Sequence, residues 1–496
     1  MPPDLLRRSL RLAIGALATL PAIEAAGQRC STGCELYSYA SSVSADAGGP
    51  LDLRAFAFYP RDLAPGADAP IAVVMHGYSP RSTFGDTRQH AERLAGEGFV
   101  AVLVAMRGRD GSDGQRDSGG LEIYDIYDAV EHLKADDYFA PRVDRTNVHI
   151  TGFSGGGGNV MSALTKFPDY FRLGSSYYGI SDYGFDPVTG WYVNGADVGV
   201  MRTDQLDTDV GDPTTGDPGV LDRYLARASN LASKNNPYSE IHLFVNSDET
   251  ISPPVNHASY RDNAVAAASS PGEFDNITVH VGQSDGSLWV DHNGDGVRDD
   301  DELQNFPHSG GLESQARGEA WYLDRLRAGL IPEPVLAPAD ELFVAGWVRT
   351  KPFELFIGDG QDAAARLEYE LDDRAMAFQM LIESSDKSPA ARLTVDPSLL
   401  ATPWMLVELN GEAIATALAD EPFVYASLRH GDTLRLVAIP EPSGAAATSI
   451  AAASCAAATA GRRRGRPLVT LGRALRLARH TRCEPHAVAV RGWRCD

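Results

Sequence analysis

The chain has 496 residues, enough for a large core plus an accessory unit. Its hydrophobic fraction of 43% excludes a disordered chain. A formal net charge of −23 excludes a general nucleic-acid binder, which needs a basic face to neutralise phosphates, and suits a soluble exported surface.

Arg7, Arg8 and Arg11 lead into a short apolar run, Leu12–Ile23, with the small residues Ala22, Ala25 and Ala26 around its end. That order predicts a secretory signal peptide over residues 1–27, and hence an exported protein, secreted or held at the cell envelope. The run is too short for a comfortable membrane-spanning helix. Cys30 and Cys34 follow closely, so a small local disulfide is expected in an oxidising compartment. The other three cysteines, Cys455, Cys483 and Cys495, lie near the end of the chain, and no Cys-x-x-Cys pair points to zinc or redox chemistry.

From about Leu51 to Leu330, short apolar runs alternate with helical patterns. Ile71–Met75 and Phe99–Met106 read as buried strands, with a helix over Thr87–Gly96 between them. Ile123, Ile126, Val130 and Leu133 recur at helical spacing. Asn147–Thr151 reads as a strand and Gly156–Phe167 as a helix. Leu173–Tyr178, Ile241–Val245 and Ile277–Val281 continue the strands, and a helix over Glu313–Leu326 closes the series. This alternation predicts an α/β domain over residues 28–331, with a mostly parallel sheet covered on both faces. Residues 183–223, rich in Gly, Asp and Thr and holding Trp191 and Tyr192, break the pattern and form a candidate lid.

Pro332, Pro334 and Pro338 mark a linker. Residues 340–439 then read as a smaller β-rich unit, with strands expected at Phe343–Val348, Glu354–Ile357, Arg366–Leu371, Phe378–Ile382, Met405–Leu409 and Leu434–Ala438. It carries no catalytic constellation, so a structural or binding role is expected of it. Residues 440–466 run from Pro440-Glu441-Pro442-Ser443 through an Ala-rich apolar stretch to Arg462, Arg463, Arg464 and Arg466. This order resembles the PEP-CTERM sorting signal of exported bacterial proteins, which implies an envelope sorting machinery as a partner. A basic tail, 467–496, continues beyond the arginines that normally end such a signal.

Gly152-Phe153-Ser154-Gly155-Gly156 has the form G-x-S-x-G and lies between an expected strand and an expected helix. A serine on such a tight turn stands clear of the sheet, and its glycine neighbours avoid clashes there. A nucleophilic serine needs a base, and the base needs an orienting acid. Asp248, after the strand Ile241–Val245, is the expected acid, with the adjacent Glu249 as the alternative. His308, between the last strand and the last helix, is the expected base, with His257 as the fallback. The oxyanion donors are expected to be the backbone N–H of Gly155 and either the backbone N–H or the hydroxyl of Tyr78, in His76-Gly77-Tyr78 after the first buried strand. His76 itself reads as structural.

With these residues placed, about Ile71 to Leu326 resembles the catalytic domain of the prolyl oligopeptidase family of serine peptidases, which has the α/β-hydrolase fold. Pro168-Asp169-Tyr170-Phe171, Tyr178-Gly179-Ile180-Ser181-Asp182, Tyr224–Asn230 and Pro253-Pro254 are similar to patterns of that family. The resemblance implies acyl transfer through a serine ester on a small-molecule or peptide substrate. The chain departs from the family in two ways. Only a few dozen residues precede the first hydrolase strands, so no β-propeller is expected, and Gly155–Gly158 replace the bulky aromatic that usually follows the nucleophile. Arg107-Gly108-Arg109-Asp110-Gly111-Ser112 also resembles esterases and acyl-peptide hydrolases, so a carboxylesterase on the same triad stays open. So does a non-catalytic, calcium-dependent envelope or binding protein that kept the fold.

Residues 291–302 fit the twelve-residue EF-hand loop. Asp291, Asn293 and Asp295 stand at positions one, three and five, Gly296 at the turn, Val297 offering its carbonyl, Asp299 at nine and Glu302 at twelve. One structural calcium ion is expected there, ordering the loop that carries His308.

Overall fold

The apolar runs form the interior of one eight-stranded sheet. The computed structural model describes residues 32–441, apart from 44–49, 79–83, 182–184, 187–190, 193–203, 213–214, 216, 250–251, 284–295, 298–305, 309–310 and 362. The expected signal peptide, every cysteine except Cys34, the sorting segment beyond Glu441, the basic tail, the calcium ligands other than Val297 and much of the candidate lid lie outside the described residues.

The strands are β1 (Gly33–Ala40), β2 (Asp52–Tyr59), β3 (Ala69–Met75), β4 (Val100–Ala105), β5 (Val143–Phe153), β6 (Leu173–Tyr177), β7 (Glu240–Asn246) and β8 (Ile277–Gly282). They lie in the order β1-β2-β4-β3-β5-β6-β7-β8. β1 pairs antiparallel with β2 and β2 antiparallel with β4, while every later pair is parallel. Every residue of β4 is buried, as a strand covered on both faces requires. β1 and β2 extend the sheet beyond the strands read from the sequence. Their patterns mix buried and exposed positions at the sheet edge, a weaker signal than a continuous apolar run.

Helices α1 (Phe84–Gly96), α2 (Glu122–Ala135), α3 (Gly155–Lys166), α4 (Asp204–Asp209), α5 (Pro218–Leu225), α6 (Val255–Ala267) and α7 (Gly311–Arg327) complete the domain. Ile123, Ile126, Val130 and Leu133 of α2 are buried and pack with Val160, Met161 and Leu164 of α3 and Tyr260 of α6 on one sheet face. Ala91 and Leu94 of α1 pack with Tyr322, Leu323 and Leu326 of α7 on the other. In and just after the candidate lid, Leu206 of α4, Val210, and Val220 and Tyr224 of α5 cluster with Ile180, with Tyr78 at the edge of that cluster.

The β-rich part follows the α/β domain. Its strands are β9 (Ala339–Ala345), β10 (Trp347–Arg349), β11 (Phe353–Ile357), β12 (Ala364–Leu371), β13 (Ala375–Ile382), β14 (Ala391–Val395), β15 (Trp404–Leu409), β16 (Glu412–Leu418), β17 (Phe423–Leu428) and β18 (Thr433–Ile439). They form a six-stranded sheet, β9-β12-β13-β18-β15-β16, and a four-stranded sheet, β10-β11-β14-β17. Both are antiparallel and share one apolar core. The single strand expected over Phe343–Val348 is two strands in different sheets. Gly346 breaks it at φ +77, where a side chain would stand 2.2 Å from the Gly360 carbonyl oxygen.

This unit grips the α/β domain at the C-terminal end of α3. The buried Lys166 Nζ donates to the carbonyls of Ala345 and Ala226. Asn235 bridges Thr165 O at 3.0 Å and Phe343 O at 2.8 Å. Trp347 packs between Tyr124 and Phe167. A helix of this length puts that anchor about 18 Å from its first turn.

Candidate active site

Ser154 sits between the end of β5 and the start of α3 with φ +54 and ψ −126, a conformation that costs a non-glycine residue about 1–3 kcal/mol. Its N–H donates to Tyr177 O at 3.0 Å, which ties the turn to the end of β6. The surrounding glycines are forced by close backbone approach. A Cβ on Gly152 would stand 2.7 Å from Gly156 O, and one on Gly156 would stand 2.5 Å from Met75 O. Gly157 would meet Tyr177 O at 2.8 Å and Gly158 would meet Ile180 O at 2.7 Å. The first turn of α3 is thus wedged between the ends of β3 and β6. The N-terminus of α3 also turns its partial positive charge toward this point.

Tyr78 closes the other side. A Cβ on Gly155 would lie 2.5 Å from Tyr78 N and 2.3 Å from its ring, so the two backbones touch. The Tyr78 hydroxyl donates to Asn159 Oδ1 at 2.7 Å, which leaves the backbone N–H as the group beside Gly155. His76 is buried behind this loop with Nδ1 2.9 Å from Gly77 O, and burial holds its pKa below the usual imidazole range.

His308 is partly exposed and lies against Tyr178, with ring centroids 4.5 Å apart. Tyr178 is itself buried at φ +39, adjacent to the Tyr177 carbonyl that receives the Ser154 N–H. Ser154 and His308, the expected nucleophile and base, therefore contact adjacent residues of one segment, Tyr177–Tyr178. The Phe306 N–H donates to Asn246 Oδ1 at 2.6 Å, which pins the His308 loop to the end of β7.

The sequence reading put Asp248 against the imidazole. In the structure Asp248 is exposed, and Glu249, its side chain only 4% exposed, brings Oε2 to 3.3 Å from Nδ1 of His308. That contact is within ion-pair distance but is not aligned as a hydrogen bond. Such contacts commonly tighten only when substrate is bound. His257, the fallback base, is fully buried and its Nε2 accepts the Gly179 N–H at 3.1 Å. Burial depresses its pKa to about 3, outweighing the nearby Glu249, so it is a neutral structural group. Of the expected calcium ligands only Val297 is described, and it is 56% exposed next to Gly296 at φ +73.

Two polar clusters around the site were not anticipated. Glu319 of α7 is fully buried and accepts from Arg93 at 2.8 Å and from Thr151 Oγ1 at 2.9 Å, with His90 Nε2 at 2.9 Å and His149 Nε2 at 3.4 Å. Burial pushes this carboxyl up, but the two histidines and Arg93 outweigh it and hold it well below the usual range. The cluster locks the helix after His308 onto the strand that leads to Ser154. The second joins Tyr78, Asn159, Glu122 and Arg109. Neither has a sequence signature, because its members come from separate elements and carry no fixed spacing.

Residues 86–192 match the prolyl oligopeptidase family, a segment that includes Ser154 and Gly155. A comparison with curated proteins finds no match. Among solved structures, the chain is similar to an esterase of Pyrococcus furiosus at 13% identity, over 51% of this chain and 84% of that one, with a TM-score of 0.34. It is also similar to an acylaminoacyl peptidase of Pyrococcus horikoshii at 17% identity (60% of this chain, 42% of that one, TM-score 0.40). A puromycin hydrolase matches at 18% identity (62% and 41%, TM-score 0.41). The chain thus spans under half the length of the last two.

Proposed function

We propose that this chain, a serine hydrolase with a prolyl oligopeptidase family segment at its nucleophile turn, cleaves a peptide or acyl-amide bond through an ester on Ser154. The observation that carries the reading is the strained turn at Ser154, φ +54, held by glycines in backbone contact with β3 and β6.

In this reading His308 takes the Ser154 hydroxyl proton as the oxygen attacks the substrate carbonyl. A carboxylate of the acid loop holds the imidazole with Nδ1 protonated and stabilises the cation that forms. Glu249 is the carboxylate that faces the ring. The developing oxyanion lies between the N–H groups of Gly155 and Tyr78. His308 then gives its proton to the departing amine, and water repeats the cycle on the serine ester. We further propose that the protein is exported, on the strength of residues 1–27, and that a calcium ion on loop 291–302 orders the approach to His308, on the strength of its ligand sequence.

The test is labelling of the mature protein by a fluorophosphonate, followed by a panel of aminoacyl amides and simple esters. Labelling and amide turnover that vanish in Ser154→Ala support the reading. Turnover of esters alone moves it to a carboxylesterase. A folded, calcium-loaded protein that does not label would favour the non-catalytic binding role.

A further inference from the structure

The Tyr78 hydroxyl, one of the two groups of this residue expected as an oxyanion donor, is spent on an internal bond. It donates to Asn159 Oδ1 at 2.7 Å, one turn into α3 from Gly155. Asn159 is fully buried, and its Nδ2 donates to Glu122 Oε1 at 3.0 Å and approaches Met106 Sδ at 2.9 Å. Glu122 is fully buried at the start of α2, where its Oε1 also accepts the Gly119 N–H at 3.0 Å and its Oε2 accepts Arg109 Nη1 at 2.6 Å. The Arg109 guanidinium lies 5.9 Å from the centre of the Tyr78 ring, so the chain of contacts turns back on the residue where it began.

The chemistry of this chain has a direction. A carboxylate only accepts, so Glu122 compels Asn159 to present its NH₂ on that side and its carbonyl oxygen on the other. The hydroxyl has a single proton, and that proton is aimed at the carbonyl. A buried carboxylate is costly unless paired, and Arg109 supplies the pairing. The result is a polar strut that holds the Tyr78 ring over Gly155, with the Tyr78 backbone nitrogen in contact with the first residue of α3.

We infer that Asn159 and Glu122 are positioning residues: through the Tyr78 hydroxyl they set the backbone N–H of Tyr78 at the oxyanion site. The inference rests on the serine-hydrolase reading with Ser154 as nucleophile. It assigns the Tyr78 hydroxyl to the strut and only the backbone N–H to catalysis.

Tyr78→Phe and Asn159→Leu each cut the strut while leaving both backbone donors in the chain. Outright loss of an oxyanion donor costs about a hundredfold to a thousandfold, so a donor that is loosened but kept should cost less than that. Each variant is expected to lower kcat about tenfold with KM changed less than about twofold, and to weaken a boronic acid analogue of the tetrahedral intermediate in parallel. The double variant is expected to lose no more than either single one, because both break one bond. Tyr78→Phe keeps the ring in place and guards against a folding failure of the buried Asn159 variant. Two results would overturn the strut. In the first, Tyr78→Phe falls about a thousandfold while Asn159→Leu is unaffected, which makes the hydroxyl the donor. In the second, both keep kcat and boronate affinity and lose only thermal stability. Fluorophosphonate labelling run alongside separates these from failure of the parent reading. Labelling that persists in all variants leaves Ser154 as the nucleophile whatever the strut does, and a wild type that never labels removes both.

Discussion

Gly155→Ala tests the oxyanion wall most directly, because it adds one methyl group and no charge. The new Cβ would stand 2.3 Å from Cγ of Tyr78 and 2.5 Å from its backbone nitrogen. Carbon contacts are comfortable at about 3.5–4.0 Å, so Tyr78 must retreat by roughly 1 Å or more. Backbone, not a flexible side-chain tip, has to move, and the move pulls the hydroxyl from Asn159. A misplacement of about 1 Å at a reacting group costs about a hundredfold. Helix propensity favours alanine over glycine by roughly 0.5–1 kcal/mol, so the variant is expected to fold. The expected outcome is a hundredfold or greater fall in kcat with KM little changed, measured by burst kinetics on an activated acyl ester, and slower fluorophosphonate labelling, in a protein that still unfolds cooperatively. Gly96→Ala is the control, since nothing lies within 4 Å of a Cβ there, and it should keep full activity. A folded Gly155→Ala enzyme within threefold of wild type would remove Tyr78 from the oxyanion site.

The remaining tests concern the acid, the folding pH profile, the accessory unit and the metal. Glu249→Gln should lower kcat by about 10⁴, as loss of the orienting carboxylate does elsewhere, while Asp248→Asn stays within a few fold; the opposite ranking returns the role to Asp248. Folded His257 stays neutral down to about pH 3, whereas the unfolded chain takes up a proton near 6.5. Its stabilising contribution is therefore complete above pH 6.5 and is lost as the pH falls toward 3. His257→Gln keeps an acceptor for Gly179 and should flatten the denaturation free energy over that window by up to about 1.4 kcal/mol per pH unit; equal slopes in the two proteins would contradict the burial argument. Trp347 is fully buried between the hydrolase and the β-rich unit, so Trp347→Ala should cost about 3–5 kcal/mol in chemical denaturation. The same variant should keep kcat within a few fold at 25 °C, because this anchor is at the far end of α3 from Ser154. Excess chelator, with metal loss confirmed, should lower activity or Tm; unchanged values would dispose of the calcium loop.

The sequence by itself determined the features that depend on local chemistry. Buried parallel strands such as Ile71–Met75 announce themselves as unbroken apolar runs, because both faces are covered. The turn at Ser154 shows as glycines around a serine, because its backbone admits few other residues. The β-rich unit declared itself by alternation along strands such as β12 and β13, whose residues face the core every second position. Tertiary structure decided whatever depends on distance between remote segments. Two adjacent carboxylates, Asp248 and Glu249, are nearly equivalent as text, and only the path of the acid loop turns the second toward His308 and leaves the first exposed. His257 looks like any base in sequence, until burial and the Gly179 N–H take it out of use. The division of Phe343–Val348 between two sheets, and the strut from Tyr78 to Arg109, arise from contacts whose partners are set by the fold of the whole chain, and periodicity carries no record of them.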